Sequence, residues 1–206
     1  MVLSQLRPAL VLFLLLSTLT GLAYPLGMTA LANLLLPEKA TGSLIHAKGW
    51  VIGSSLIGQD FTAPRYFHGR PSATMGPDPK DASKMIAMPY NAAASLASNA
   101  GPTSKALLDQ VTSRAAQLRA ENPDAMAQGW RIPVELVTSS ASGLDPDISP
   151  DAALFQIARV AKARGLSPDR VRHLVQSQTE APILGFLGEQ HINVLALNQA
   201  LDRLGQ

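Results

Sequence analysis

An α+β fold behind one N-terminal transmembrane helix is what this sequence predicts, and three observations carry the prediction. From Pro8 to Leu36 no residue bears a formal charge. Between Gly42 and Gly58 lie two short runs rich in apolar and β-branched residues, with turn residues between them. Beyond Pro102 the apolar residues recur at helical spacing, and two segments open with the same Ser-Pro-Asp triplet. Strands come early and helices late, the order expected of an α+β domain. The chain is accordingly divided into a membrane anchor, residues 1–36, and a soluble domain, residues 37–206.

The uncharged run is long enough to span a membrane, which takes roughly 20 mostly apolar residues across a hydrocarbon core about 30 Å thick. Its nearest charges are Arg7 on one side and Glu38 and Lys39 on the other. Gly21-Leu22-Ala23 fits a signal-peptidase site, but the basic start is weak and apolar sequence resumes after Pro25, so an uncleaved anchor is expected. Pro25 is expected to kink the helix or end it. Arg7 and the amino terminus outweigh the neutral Glu38-Lys39 flank, which puts the N-terminus in the cytoplasm and the domain outside it. Small residues Gly21, Ala23, Gly27, Ala30 and Ala32 would allow close helix approach.

After the anchor, SLIH and WVIGSSLI read as two strands joined by a turn at Ala47-Lys48-Gly49. Gln59 to about Pro102 is rich in Pro, Gly and Ser and is expected to be irregular, yet Phe61, Tyr66 and Phe67 are apolar groups that should be buried. A helix capped by Thr103 follows, with Leu107, Leu108, Val111, Ala115 and Leu118 on its inner face and an end near Asn122-Pro123. Val134 to Thr138 reads as a short strand, and SSASGLDPDIS as a loop. Ser149-Pro150-Asp151 and Ser167-Pro168-Asp169 each place a hydroxyl at the N-cap, proline in the first turn and a carboxylate near the positive end of the dipole. The first of these helices ends in Arg164-Gly165. A last helix follows Asn193, with Val194, Leu197, Leu201 and Leu204 on one face.

Composition excludes several functions. Cysteine is absent, which removes disulfides, thiolate metal sites and a cysteine nucleophile. With 17 basic and 15 acidic residues the net charge is only +2, and no basic stripe marks a nucleic-acid partner. No Gly-x-Ser-x-Gly elbow is present. Gly101-Pro102-Thr103-Ser104-Lys105 lacks the first glycine of a phosphate loop and reads as a loop-to-helix junction. His46, His68, His173 and His191 show no metal-ligand spacing. Asp145 and Asp147, like Asp78 and Asp81, fit Asx-turns better than a cation site. Arg65 and Arg70 flank Tyr66-Phe67 and suit cation–π or ion-pair contacts. A lone span encloses no pore, and neither a potassium-filter sequence nor a P-type phosphorylation motif is present. Two other classes compete: a membrane-anchored enzyme using Asp145, Asp147 and a histidine, and a binding protein released by cleavage at Ala23.

A resemblance then covers nearly the whole chain in order. Gly53-Ser54-Ser55-Leu56-Ile57-Gly58-Gln59, Tyr66-Phe67 with Arg70-Pro71-Ser72-Ala73, and Ser98-Asn99-Ala100-Gly101-Pro102-Thr103 carry its first part. Its strongest block runs from Pro133-Val134-Glu135-Leu136-Val137-Thr138 into Ser142-Gly143-Leu144-Asp145-Pro146-Asp147-Ile148-Ser149-Pro150. Gln156, Arg159-Val160-Ala161-Lys162-Ala163-Arg164, Gly185-Phe186-Leu187-Gly188-Glu189 and Asn193 to Asp202 complete it. These residues resemble the KdpC family, the C subunit of the Kdp-type potassium-transporting ATPase. The resemblance implies an accessory, non-catalytic subunit of an ATP-driven potassium importer in the cytoplasmic (inner) membrane. The implied partners are a channel-like potassium-binding subunit, a P-type ATPase subunit, a very small stabilising subunit and membrane lipid. The implied roles are assembly and a raised ATP affinity of the catalytic subunit. No cofactor would be tightly held, and ATP would bind only in a ternary complex with that subunit. In that second role Val137 to Gln156 is compared with an ABC-type signature, Ser142 and Gly143 lie in the signature-like loop, and Gln156 is the nucleotide contact. Read by its own helix, Gln156 is a surface amide.

Overall fold

The computed structural model describes residues 2–47 and 49–204. The chain forms two compact units, Met1–Ser54 and Ser55–Gln206. The first unit takes in the β-hairpin as well as the anchor, so it extends past residue 36.

In the first unit α1 (Val2–Thr18) runs through a π-helical turn, Leu19–Ala23, into α2 (Tyr24–Leu35). The π turn explains why Pro25 does not break the helix. An α-helical proline lacks its own hydrogen bond and presses on the carbonyl four residues back. Here the turn just ahead of it is widened, with Tyr24 N–H donating to Leu19 O, five residues away. Ser4–Leu35 is long and apolar enough to cross a membrane. A short helix α3 (Pro37–Ala40) leads to the antiparallel strands β1 (Leu44–Ala47) and β2 (Trp50–Ser54). The hairpin is as expected, although β2 stops at Ser54 and Lys48 of the expected turn lies outside the described residues.

The second unit is built around α6 (Pro150–Arg164), which is buried on nearly all sides through Ala152, Ala153, Phe155, Gln156, Ile157, Arg159, Val160 and Ala161. Around it lie α4 (Lys105–Glu121), α5 (Pro123–Ala127), α7 (Pro168–Ser177) and α8 (Val194–Leu204). Val171, Val175, Leu197 and Leu201 complete the core from α7 and α8. Phe67 enters it from the proline-rich segment and is fully buried, as its apolar character requires. Both Ser-Pro-Asp starts behave as read. Ser149 Oγ accepts from Ala152 N–H and Ser167 Oγ from Arg170 N–H. Gly165 closes α6 in the left-handed region at φ 65°, where a side chain would be strained.

Four expectations are corrected. The segment after Gln59 is not wholly irregular: β3 (Met75–Asp78) and β4 (Asp81–Ala87) form a hairpin closed over Pro79-Lys80. The Asp-Pro-Lys-Asp turn was the signal for it, masked by the surrounding prolines. Val134–Leu136 is a 3-10 turn, not a strand, because the amides of Leu136, Val137 and Thr138 bond back to Pro133 and Val134 carbonyls. The loop after it contains a two-residue strand β5 (Asp147–Ile148), paired with β6 (Ile192–Asn193) from far along the chain. At α4 the N-cap is Ser104 rather than Thr103, with no side-chain cap bond, and Leu108 faces solvent. The Gly101–Lys105 segment does lead from loop into helix.

Candidate functional site

The residues the resemblance links to nucleotide, Gln156, Ser142 and Gly143, fall into two clusters, both in the second unit. One surrounds Gln156. This side chain is fully buried, which overturns its reading as a helix-surface amide. Its position on α6 aims it at the backbone of the proline-rich segment. The Gln156 carbonyl oxygen accepts from His68 N–H at 2.8 Å and from Arg159 Nη2 at 2.6 Å. Its amide nitrogen donates to His68 O at 3.1 Å and to Ala152 O at 3.1 Å. Both lone pairs and both amide hydrogens are therefore engaged. A nucleotide would meet no free hydrogen-bonding group at this residue.

Arg159, one helical turn on, shares the cluster. Its Nη1 donates to Pro64 O at 2.7 Å and Tyr66 O at 3.0 Å, and its Nε to Asn122 Oδ1 at 3.1 Å. Burial pushes its pKa down to about 10, so it remains a cation at neutral pH. Sequence reading placed Arg159 only inside a family-like block. The signal it missed is the Gln-x-x-Arg spacing, which puts both long polar side chains on one face of α6. Asn198 on α8 completes the clamp, accepting from Phe67 N–H at 2.9 Å and donating to Phe67 O at 3.0 Å. Three buried polar side chains thus hydrogen-bond a proline-rich strap that has no regular secondary structure of its own there.

His68 lies at the edge of this cluster, with Nε2 3.2 Å from Ala63 O and Nδ1 3.7 Å from a Glu121 carboxylate oxygen. Burial and then the Arg159 charge hold its pKa below the ordinary histidine value. The unfolded chain therefore takes up a proton that the folded chain resists. Stability is full above the unfolded value of about 6.5 and falls as pH drops from there toward the folded pKa. We expect the unfolding midpoint of the detergent-solubilised protein to decline across this window. His68→Gln should flatten that decline, and an unchanged slope would show that another group is responsible. A cleft of about 260 Å³ opens beside His68, lined among others by Asp60, Arg70, Tyr90, Arg114 and Glu121. Its cations are tied within the domain, Arg70 to Asp145 at 3.0 Å and Arg114 to Val137 O at 3.0 Å.

The second cluster is the loop bearing Ser142 and Gly143. Ser142 O accepts from Leu96 N–H at 3.0 Å and from Ser95 Oγ at 2.9 Å, and its hydroxyl oxygen accepts from Leu144 N–H. Gly143 is buried at φ 68°, donates to Ser140 Oγ and accepts from Ser72 Oγ at 2.7 Å. Leu144 O accepts from Gly58 N–H. This loop therefore gathers three earlier segments. It shares no hydrogen-bond partner with Gln156.

The aspartates and Arg65 singled out in the sequence make structural contacts. Asp145 Oδ1 accepts from Asp147 N–H in an Asx-turn, and Asp147 is bonded by Asn193 Nδ2 at 3.1 Å. Burial holds the Asp147 carboxyl above the usual range. Asp78 and Asp81 also make Asx-type bonds, to Lys80 and Ser83. Arg65 lies 5.4 Å over the Tyr66 ring, and Arg164 stacks on it at 5.0 Å. Among the described residues no three acidic or histidine side chains converge as a metal site would require.

Comparison with known proteins fixes the family. The profile of the KdpC family, described as "K+-transporting ATPase, c chain", matches residues 6–203. A "Potassium-transporting ATPase KdpC subunit" of Rhodopseudomonas palustris (strain BisB18) is 61% identical over 200 residues, covering 97% of this chain and 98% of the relative. Proteins of the same description from Bradyrhizobium diazoefficiens and Methylobacterium nodulans are 58% and 59% identical, each over 98% of both chains. At this coverage the chain belongs to the KdpC family, the c chain of the K+-transporting ATPase.

Proposed function

We propose that this chain is a non-catalytic accessory subunit that helps to assemble a potassium-transporting ATPase in the cytoplasmic membrane. The observation that carries the reading is that Gln156 commits its whole side-chain amide, and Ser142 and Gly143 their carbonyls, to the domain's own segments. The apolar helix Ser4–Leu35 supplies the attachment. Arg7 and the amino terminus favour a cytoplasmic start, with the second unit outside the cytoplasm. The helix would pack on partner spans through its small residues, and the outer domain would cover the mouth of the channel-like potassium-binding subunit. The P-type catalytic subunit and a very small stabilising subunit complete the complex. For Gln156 to serve as a nucleotide contact it would have to release at least one of these four hydrogen bonds. Its burial favours a structural part, and an influence on ATP affinity would then act through the assembled complex. Co-purification in mild detergent tests this. Full-length chain should elute with the other subunits, and chain truncated before Pro37 should be lost from them. The reading fails if the full-length chain elutes alone while the other subunits remain assembled and active.

A further inference from the structure

Between α7 and β6 the chain makes a short projecting finger, Ala181–Gln190, whose tip is apolar and uncovered. Ile183, Leu184, Phe186 and Leu187 are 72%, 79%, 74% and 51% exposed. Single exposed apolar residues are ordinary, but four within five residues form a contiguous patch of the kind that marks an interaction surface. The finger is also built. At its base Glu180 and His191 exchange backbone bonds of 2.9 and 3.3 Å. At its tip Ile183 and Leu187 exchange bonds of 3.0 and 2.9 Å. Leu184 sits at φ 56°, a conformation costly for a bulky side chain. The positive φ lets the turn close, with Gly185 N–H donating to Pro182 O at 2.9 Å, yet the residue at this position is an exposed leucine where glycine or asparagine would be unstrained.

The charge around the tip selects among occupants. Glu189 and Glu180 flank it, the latter with a carboxylate oxygen 3.7 Å from His191 Nε2, and no lysine or arginine occurs between Arg172 and Arg203. Segments that bind anionic bilayers surround their apolar residues with lysine and arginine. Acidic flanks instead complement a groove with a basic rim. We propose that this finger is a docking knob that inserts Leu184 and Phe186 into an apolar groove, bordered by lysine or arginine, on another protein subunit of the same ATPase complex. The inference deepens the assembly reading above and rests on it. A rigid, pre-shaped apolar tip loses little entropy on docking, and one or two such anchors carry most of an interface's energy.

The test uses the assembled complex. A photo-crosslinking amino acid at Phe186 should join the chain to a different subunit, next to basic residues. Leu184→Gly with Phe186→Ser should reduce co-purification of the other subunits on the order of tenfold or more. Leu184→Gly relieves the strained backbone, so the fold should be as stable as before or more so. A purely structural finger would give the reverse pattern, loss of stability without loss of assembly. Glu180→Lys with Glu189→Lys should weaken assembly in the same direction. The proposal is overturned if Phe186 crosslinks only to lipid in phosphatidylethanolamine–phosphatidylglycerol vesicles, or only to a second copy of this chain. It is equally overturned if the double tip variant assembles like the wild type. That last result, with assembly still dependent on the chain, removes the finger and leaves the assembly function standing. Assembly and activity without the chain would remove both.

Discussion

Replacing Arg159 by alanine is expected to destabilise the second unit by about 3–5 kcal/mol, the largest single effect anticipated here. The guanidinium donates to Pro64 O, Tyr66 O, Asn122 Oδ1 and Gln156 Oε1, and its Nη1 also lies 3.4 Å from His68 Nε2. Bonds to a charged donor are stronger than neutral ones, and removing one partner leaves the others buried without compensation. Solvent reaches little of this site, since Arg159 is 8% exposed. Lysine should not rescue, because its point charge cannot bridge three directions as the planar fork does. The measurement is a guanidinium titration in detergent, followed by the fluorescence of Trp130, which packs against the core, in a Trp50→Phe background. A loss below about 1 kcal/mol would show that Phe67, Gln156 and Asn198 hold the strap without it. A second readout comes with it. Arg159 is, after burial, the main influence lowering the His68 pKa. Its removal should therefore also shrink the loss of stability on the acid side.

Gly143→Ala is expected to cost about 2–4 kcal/mol, an unusual penalty for one added methyl group. A Cβ at this position would lie 2.6 Å from Leu96 O and 2.8 Å from Thr74 Cγ2. The first neighbour is backbone and cannot rotate away. The residue is also at φ 68°, so alanine is strained even without the contact. The same close approach lets Ser142 O and Gly143 O reach Ser95, Leu96 and Ser72. Loss of the glycine should therefore loosen the junction of three segments, read as faster amide exchange at Leu96 and Leu144. A variant with wild-type stability and altered ATP dependence of the complex would favour a nucleotide-related role for this loop over the structural one. Ser142→Ala should be much milder, since its carbonyl makes the two inter-segment bonds and its hydroxyl oxygen accepts only from Leu144 N–H, two residues away.

What could be read from sequence was local in character. The uncharged run before Glu38, the Ser149 and Ser167 caps and the apolar face of α8 all depend on residues within four or five positions of one another, and each is present as read. The β1–β2 hairpin is local too. The misreadings had distant causes. Val134–Thr138 has strand-like residues, but a strand needs a partner edge, and here the amides bond within the turn. β5 had no signal of its own because its partner β6 lies far along the chain. Gln156 looked like a surface amide because its helix gave no sign that a proline-rich strap would cover it.

An apolar helix ahead of an α+β domain without thiol chemistry, and the motifs that mark the family, are legible along the chain alone. Helical period, capping and charge are set by near neighbours, so they survive in a linear reading. Which polar groups face inward is set by contacts between segments far apart in the chain. Gln156 bonds to His68 across 88 positions and Asn198 to Phe67 across 131. Such pairings exist only once the strap lies against α6 and α8, when its backbone groups can no longer bond water and must be met by buried side chains.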